Sequence, residues 1–199
     1  MRSFFATTAM LLVTAQAAHA NPCQERFAQL LIHGNGDRPS IIRITTEPKG
    51  GQVSKNDFFF KATGHWMTVM TEPANQPVTL AYSNKMYTSS DDGKSWKKVR
   101  DMDSEKNRLD NIRNQEANAK TIKNAVCGEE LLDGVVHDTV EADFDTVQQY
   151  KSSNRYKYWV NRDTGRIAKS TYDSKSSGYE SFTTQIIEDA PDLTLPTPE

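Results

Sequence analysis

Residues 57–71 read DFFFKATGHWMTVMT, and this stretch decides the fold. Aromatic, β-branched and methionine side chains dominate on both sides of Gly64, and the aromatic and β-branched types favour strands. A glycine between two such runs indicates that the chain reverses there. The stretch therefore predicts two neighbouring strands, 57–63 and 66–71, as the start of a β-rich fold.

Further strands are predicted on both sides of this pair. Residues 41–46 and 78–83 have the same composition, and turn residues at 48–51 and 73–77 separate them from it. Short strands at nearly regular spacing favour an antiparallel sheet over alternating strands and helices. The sequence Asp-Asp-Gly-Lys at 91–94 is typical of a hairpin turn, which predicts paired strands on either side of it.

Two segments lack a strand pattern. In residues 24–33, Phe27, Leu30 and Leu31 stand at helical spacing, and Gly34 ends the pattern. Residues 101–124 are polar with sparse apolar positions. We interpret them as one or two weak helices that cross the open side of the sheet, with a disordered loop as the alternative.

Strand patterns return in the second half of the chain. They cover residues 135–144, 155–161, 166–172 and 181–188. Three prolines in the segment 191–199 predict a tail that is extended along the surface or disordered. The domain organisation that follows is a signal segment at 1–20, one domain at 21–190 and a proline-rich tail at 191–199.

The first twenty residues have the layout of a secretory signal peptide. Arg2 precedes an apolar run, and Ala18-His19-Ala20 fits the small-residue rule for a cleavage site. The apolar stretch is shorter than the roughly 20 residues of a membrane span, although an anchoring helix is the alternative. We therefore expect cleavage near Ala20, export to the periplasm, and no transmembrane segment in the mature chain.

Two cysteines, Cys23 and Cys127, remain after cleavage. An exported protein with a small, even number of cysteines usually pairs them, so we predict a disulfide between these two. A redox role lacks a Cys-x-x-Cys motif, and a zinc site with distant histidines is a minor alternative.

Composition excludes one class of partner. The 199 residues carry 24 Lys and Arg against 26 Asp and Glu, a formal net charge of -2. Proteins that bind nucleic acid neutralise phosphates with a basic surface, and this chain has no such excess. We therefore expect no nucleic-acid partner.

The sequence offers little support for catalysis. His33, His65 and His137 show no metal-ligand spacing, and no Gly-x-Ser-x-Gly motif is present. The acidic turn at 91–93 lacks the spaced oxygens of a calcium loop. We therefore expect neither an enzyme nor a metal or cofactor; an enzyme would require a buried polar cluster around His65 or His137.

The aromatic residues are more informative. Phe58, Phe59 and Phe60 are consecutive, so their side chains must face both sides of the sheet, and Trp66 and Met70 follow closely. One interpretation is that both sets are core. The other is that one set lines an apolar groove for a hydrophobic ligand, with methionine as an adaptable wall.

Three motifs together resemble a known group. They are the hairpin from Lys85 to Trp96, the stretch Cys-Gly-Glu-Glu-Leu-Leu-Asp-Gly at 127–134, and Tyr-Lys-Tyr-Trp-Val-Asn at 156–161 with Asp-Thr-Gly-Arg-Ile at 163–167. This order resembles small exported proteins of the lipoprotein-carrier superfamily, which contains the periplasmic lipoprotein chaperone and its mycobacterial lipid-carrier relatives. The resemblance covers roughly residues 55–188.

The resemblance implies an unclosed antiparallel β-barrel with helices on its concave side and an apolar cavity for acyl chains. In the lipoprotein chaperones an arginine on an early strand holds the closed state, and Arg43 is the nearby candidate here. The stretch at 127–134 is typical of short uncharacterised relatives rather than of the chaperone itself.

Residues and resemblance together give one set of expectations. The fold class is α+β, mainly β: a curved antiparallel sheet or unclosed barrel with an N-terminal helix and a mid-chain helical insert on the concave side. The expected function is a non-enzymatic periplasmic binding protein for a lipid, acyl chain or other hydrophobic ligand. The alternative is an envelope interaction or assembly module, with a protein partner and a self-filled cavity. The expected ligand-binding residues are Phe58, Phe60, Trp66, Met70, Tyr82, Trp96, Tyr156 and Tyr158.

Overall fold

One antiparallel sheet and two helices make up the computed structural model, which describes residues 21–148 and 151–198. The predicted signal peptide, and Glu199 of the predicted tail, lie outside these residues. The elements in chain order are α1 (Pro22–His33), β1 (Ser40–Pro48), β2 (Ser54–Ala62), β3 (His65–Glu72), β4 (Val78–Tyr82), β5 (Lys85–Ser89), β6 (Lys97–Asp101), α2 (Ser104–Ala119), β7 (Lys123–Leu132), β8 (Val135–Thr146), β9 (Ser152–Asn161), β10 (Ile167–Ser176) and β11 (Tyr179–Asp189).

The strand order is β6-β5-β4-β3-β2-β1-β11-β10-β9-β8-β7, and β6 and β7 form the two edges. Each run of strands that follow one another in the chain forms an antiparallel meander, and the two meanders meet where β1 pairs with β11. The sheet does not close on itself. The predicted fold class, a mainly β protein with an unclosed antiparallel barrel and two helices, is confirmed.

Helix α1 begins and ends where its sequence specifies. The side chain of Asn21 accepts a hydrogen bond from the backbone N–H of Cys23 at 3.0 Å, and Pro22 occupies the first turn. Gly34 ends the helix with a φ of 52°, in the region that favours glycine. The predicted helix over 24–33 is confirmed.

Helix α2 resolves the ambiguity at residues 101–124 in favour of a single helix. Asp103 caps it by accepting from the backbone N–H of Lys106 at 3.0 Å. Ion pairs on its exposed face join Lys106 to Asp110 and Arg108 to Glu105. These local interactions stabilise a helix whose apolar side chains are few.

The core lies between α1 and the strands β8 to β10. Phe27 is fully buried, and its ring centroid lies 5.4 Å from that of Tyr158 and 6.1 Å from that of Phe144. Val140 and Ala142 on β8 are also fully buried beneath the helix. Burial of a phenylalanine side chain contributes about 2 kcal/mol to folding, so this contact fixes α1 on the sheet.

Charged pairs occupy the opposite face of the same strands. Arg155 on β9 pairs with Glu141 and Asp143 on β8, and Lys157 pairs with Glu130. Because neighbouring residues on a strand face opposite ways, this places Tyr156 and Tyr158 on the helix side. The sheet therefore has one apolar, helix-covered face and one polar face in this half.

One strand was not predicted. β7 forms at Lys123–Leu132, before the predicted strand at 135–144. It is an edge strand with exposed side chains at most positions, including Val126 and Leu131, so its sequence has no alternation of apolar and polar residues. β7 is defined by its antiparallel pairing with β8, which the sequence pattern does not show.

Candidate functional site

A cavity of about 620 Å³ lies between the sheet, the end of α1 and helix α2. Its floor is formed by Phe58 and Phe60 on β2 and by Trp66 on β3. Phe60 pairs with Trp66 across the strands, and residues two apart on β2 share a face, so the three rings form one surface. The ring centroids of Phe58 and Trp66 are 5.6 Å apart.

Helix α2 covers this floor without filling the space above it. Ile112 on α2 and Met102, just before the helix, contribute apolar side chains to the cavity. Asn107 and Asn111 on α2 contribute polar ones. Short and polar side chains leave room where leucines or phenylalanines would pack. The low apolar content of α2 is thus the physical reason that a cavity exists.

A second cavity of about 410 Å³ extends from the first toward β9, β10 and β11. The two share Phe58, Phe60 and Gly36 in their walls, so they are two parts of one groove. Tyr156 and Tyr158 on β9 form the far wall of the second cavity. We call the two parts together the concave groove.

Polar residues line the outer part of the first cavity. His33, Asp37 and Arg108 are among its lining side chains. Asp37 accepts hydrogen bonds from Thr63, through the backbone N–H at 2.8 Å and the hydroxyl at 3.3 Å. The hydrogen bond with Glu105 raises the pKa of Arg108, and the charge of Asp37 acts in the same direction. This end of the groove therefore presents charge beside apolar rings.

The far wall of the second cavity is neutral. Burial raises the pKa of Tyr158 well above its ordinary value, and the neighbouring Tyr172 and Tyr156 act in the same direction. Burial also raises the pKa of Tyr172 to about 12, partly opposed by its hydrogen bond with Ser170. These phenols therefore stay protonated at neutral pH and can donate hydrogen bonds.

Five of the eight residues expected to bind a ligand line the groove. They are Phe58, Phe60, Trp66, Tyr156 and Tyr158. Met70 pairs with Asn56 two positions beyond the Phe58 pair, so it lies on the same face but outside both cavities.

The other two expected residues lie elsewhere. Because Ala81 pairs with Trp66, the next residue, Tyr82, is on the opposite face, where its ring centroid is 5.1 Å from that of His65. Trp96 lies beside the turn between β5 and β6, where its ring is next to Gly93, and it lines neither cavity. Arg43 also faces away from the groove and pairs with Glu188.

Several residues that line the groove were not predicted from the sequence. Ile42, Met102, Ile112, Tyr172, Gln185 and Ile187 contribute to the groove without having been expected there. Ile42 follows another isoleucine, so only the register with β2 tells which of the two faces inward. Ile112 is surrounded by polar neighbours, and its role follows only from the placement of α2 over the sheet.

The remaining histidines do not form a reactive cluster. His137 is buried, with Nδ1 3.0 Å from the carbonyl oxygen of Val135, and the ring of His65 meets that of Tyr82 edge to face. Across residues 21–148 and 151–198, no group of three or more His, Cys, Asp or Glu side chains could hold a metal ion. Within the same residues no helix is long and apolar enough to cross a membrane.

The predicted disulfide is present. Cys23 in the first turn of α1 is bonded to Cys127 on β7, with their Cα atoms 5.5 Å apart. Beside it, the Asn21 side chain donates to the backbone carbonyl of Ala125 at 3.1 Å. The start of α1 is thus attached to the edge of the sheet by one covalent bond and one hydrogen bond.

These features define a half-barrel protein with an apolar groove under two helices, and several solved structures are similar to it. A LolA superfamily protein from Nitrosomonas europaea is 11% identical, with a TM-score of 0.35, over 90% of this chain and 96% of that chain. A domain from Vibrio parahaemolyticus, described as that of an outer membrane lipoprotein-sorting protein, is 10% identical, with a TM-score of 0.34. The match covers 86% of this chain and 92% of that chain. A structure of the Pseudomonas aeruginosa MucA/MucB complex contains a chain that is 14% identical, with a TM-score of 0.42. The match covers 85% of this chain and 57% of that chain.

No family model matches the chain, and no curated protein matches it.

Proposed function

We propose that this chain is an exported, non-enzymatic binding protein that holds a lipid, an acyl chain or another hydrophobic ligand in the concave groove. The observation that carries the proposal is a cavity of about 620 Å³ with a floor of three aromatic rings. Ligand sites begin at roughly 300 Å³ and are mostly apolar, with a few polar groups that orient the ligand.

The size of the groove also weighs against the alternative, an envelope interaction module whose cavity is filled by its own side chains. A self-filled cavity would leave little space between α2 and the sheet. Here both parts of the groove exceed the lower limit for a small-ligand site, at about 620 and 410 Å³.

Export to the periplasm is part of the proposal. Its support is the signal-like sequence of residues 1–20 and the disulfide between Cys23 and Cys127, a bond that persists in oxidising compartments.

Native mass spectrometry of the protein after mild extraction from cells tests the proposal. We expect the purified protein to carry lipid, or to accept it from mixed micelles, because an empty apolar groove exposes aromatic surface to water. A mature protein that neither carries nor accepts lipid would contradict the proposal.

A pair of variants connects bound lipid to the groove. Ile112→Trp adds volume inside the first cavity, whereas Leu109→Trp on the same helix adds it at a residue that is 40% exposed and outside the cavity. We expect the Ile112 variant to lose at least half of the bound lipid and the Leu109 variant to keep it. Equal loss in both, or in neither, would mean that lipid binds somewhere else.

A further inference from the structure

A small polar cluster lies in the wall of the second cavity. Ser170 and Tyr172 are two residues apart on β10, and Ser170 pairs with Gln185 on β11. Residues with this spacing and register share a face, so the three side chains meet on the helix side of the sheet. Tyr172 and Gln185 line the cavity, and Ser170 is fully buried beside them.

Hydrogen bonds inside the cluster determine which polar atoms remain available to bind a ligand. Ser170 Oγ donates to Tyr172 Oη at 2.8 Å, and Tyr172 Oη donates to Gln185 Oε1 at 3.1 Å. Both hydroxyl protons and the carboxamide oxygen are therefore used within the cluster. The polar atom that Gln185 can offer to a ligand is the amide nitrogen, with its two N–H donors.

The rest of the second cavity is apolar or neutral. Leu30, Ile42, Ile167 and Ile187 line it, and none of its described lining residues is Asp, Glu, Lys, Arg or His. A hydrogen-bond donor in an apolar wall favours a ligand atom that accepts a hydrogen bond. An ionised group there would be buried without a countercharge, which is strongly unfavourable.

We propose that the second cavity binds the neutral carbonyl group of an acyl ester or amide, with Gln185 as the donor and with Ser170 and Tyr172 as its positioning residues. This inference rests on the proposed function and narrows the ligand class. An acyl chain attached through an ester or amide places its carbonyl oxygen at Gln185 and its hydrocarbon along the aromatic floor. A plain hydrocarbon leaves the donor unpaired, and an ionised fatty acid brings a charge that the cavity does not neutralise.

Competition binding tests the inference. The protein is loaded with the neutral apolar dye N-phenylnaphthylamine, and displacement is measured with methyl dodecanoate, dodecane and ionised dodecanoate at pH 8. We expect the ester to bind about tenfold more tightly than the hydrocarbon, the effect of one well-placed hydrogen bond, and more tightly than the carboxylate. Equal affinities for ester and hydrocarbon, or a preference for the carboxylate, would overturn the inference.

Two variants assign the preference to the cluster. Gln185→Met keeps the length of the side chain and removes the donor, so we expect the preference for ester over hydrocarbon to fall from about tenfold to about twofold. Gln115→Met is the matched comparison, because Gln115 lines the same cavity from α2 and, with its Oε1 accepting from Asn118 at 3.1 Å, is a second amide donor in the wall that lies outside the cluster. A loss of preference in the Gln115 variant equal to that in the Gln185 variant would refute the role of the cluster.

A third variant examines the positioning residue. Tyr172→Phe removes the hydroxyl that holds the Gln185 carboxamide and should reduce the preference only partly; an unchanged preference would contradict the positioning role. The experiment also separates this inference from the proposed function. Failure of every probe to displace the dye would refute the groove as a ligand site, whereas displacement without an ester preference would refute the carbonyl site alone.

Discussion

Three tyrosines lie together at the centre of the helix-covered face. The ring centroids of Tyr156 and Tyr172 are 4.2 Å apart, and those of Tyr158 and Tyr172 are 6.4 Å apart. Burial is the main cause that raises the pKa of each phenol. Because an ionised phenol in this position would lie among other rings without a cation beside it, the folded state keeps all three protonated.

The raised pKa of Tyr172 makes folding stability depend on alkaline pH. In the unfolded chain the phenol ionises near pH 10, and in the folded protein its pKa is about 12. Between these values the unfolded state releases the proton first, so the free energy of unfolding falls as pH rises. Between pH 9 and 11 we expect Tyr172 to account for a decrease on the order of 1 kcal/mol, measured by urea unfolding.

Tyr172→Phe should remove this part of the pH dependence, since phenylalanine has no proton to lose. Tyr179→Phe is the control, because Tyr179 is 53% exposed. If the Tyr172 variant lost stability between pH 9 and 11 as steeply as the wild type, the shifted ionisation would have been assigned to the wrong residue.

At the residue level, spacing along one strand predicted which side chains lie on the same face. It did not predict whether that face is turned toward the groove or away from it. Phe58 and Phe60 share a face because they are two positions apart, and both line the groove. Tyr82 was grouped with Trp66, yet it lies on the other face because the pairing of β3 with β4 places Ala81 opposite Trp66. Register is a property of two strands, so one strand's sequence does not determine it.

Helix α1 connects the groove to the edge of the sheet. Its first turn is bonded through Cys23 to Cys127 on β7, its middle packs Phe27 into the core, and Gly36 just after it belongs to both cavities. The attached first turn and the buried middle hold the helix against the sheet. Any widening of the groove at this side must therefore come from the residues after His33 or from α2.

Removal of the disulfide should destabilise the fold. The bond joins residues 104 positions apart, and the chain-entropy model gives about 4 to 5 kcal/mol for a loop of this length. We expect the double variant Cys23→Ser, Cys127→Ser to have a lower urea midpoint than the wild type in oxidising buffer. In reducing buffer the two proteins should unfold at the same urea concentration, and a difference there would indicate that the serines themselves disturb the structure.

An element was easier to predict from the sequence when it buries more apolar side chains. Helix α1 was predictable because Phe27, Leu30 and Leu31 share one side of it, whereas α2 buries only Ser104 and Asn118. The helical structure of α2 rests on its cap and ion pairs, which hydrophobic periodicity does not detect. Strand β7 is the extreme case, since its position at the sheet edge leaves most of its side chains exposed.

At the scale of the whole molecule, side-chain burial is distributed unevenly over the sheet. The side chains of Val140 on β8 and of Tyr158 on β9 are buried under α1, whereas all five side chains of the edge strand β6 are exposed. Backbone hydrogen bonds that open without exposing core residues break most often.

Amide hydrogen exchange measures this difference. We expect amides of β8 and β9 to exchange most slowly and those of β6 among the fastest of the strands. β5 and β7 serve as internal comparisons, since each is next to or at an edge. Protection of β6 equal to that of β9 would mean that the short meander is stabilised by contacts other than those described.

The pairing of β1 with β11 has a consequence for how the molecule is made. A ribosome delivers β1 early and β11 last, with about 130 residues between them, so one side of β1 has no hydrogen-bonding partner until synthesis is almost complete. An open strand in the middle of a half-made sheet can pair with other chains. A chain that stops before residue 179 would lack β11 and retain that open side permanently, so this truncation is expected to cause aggregation.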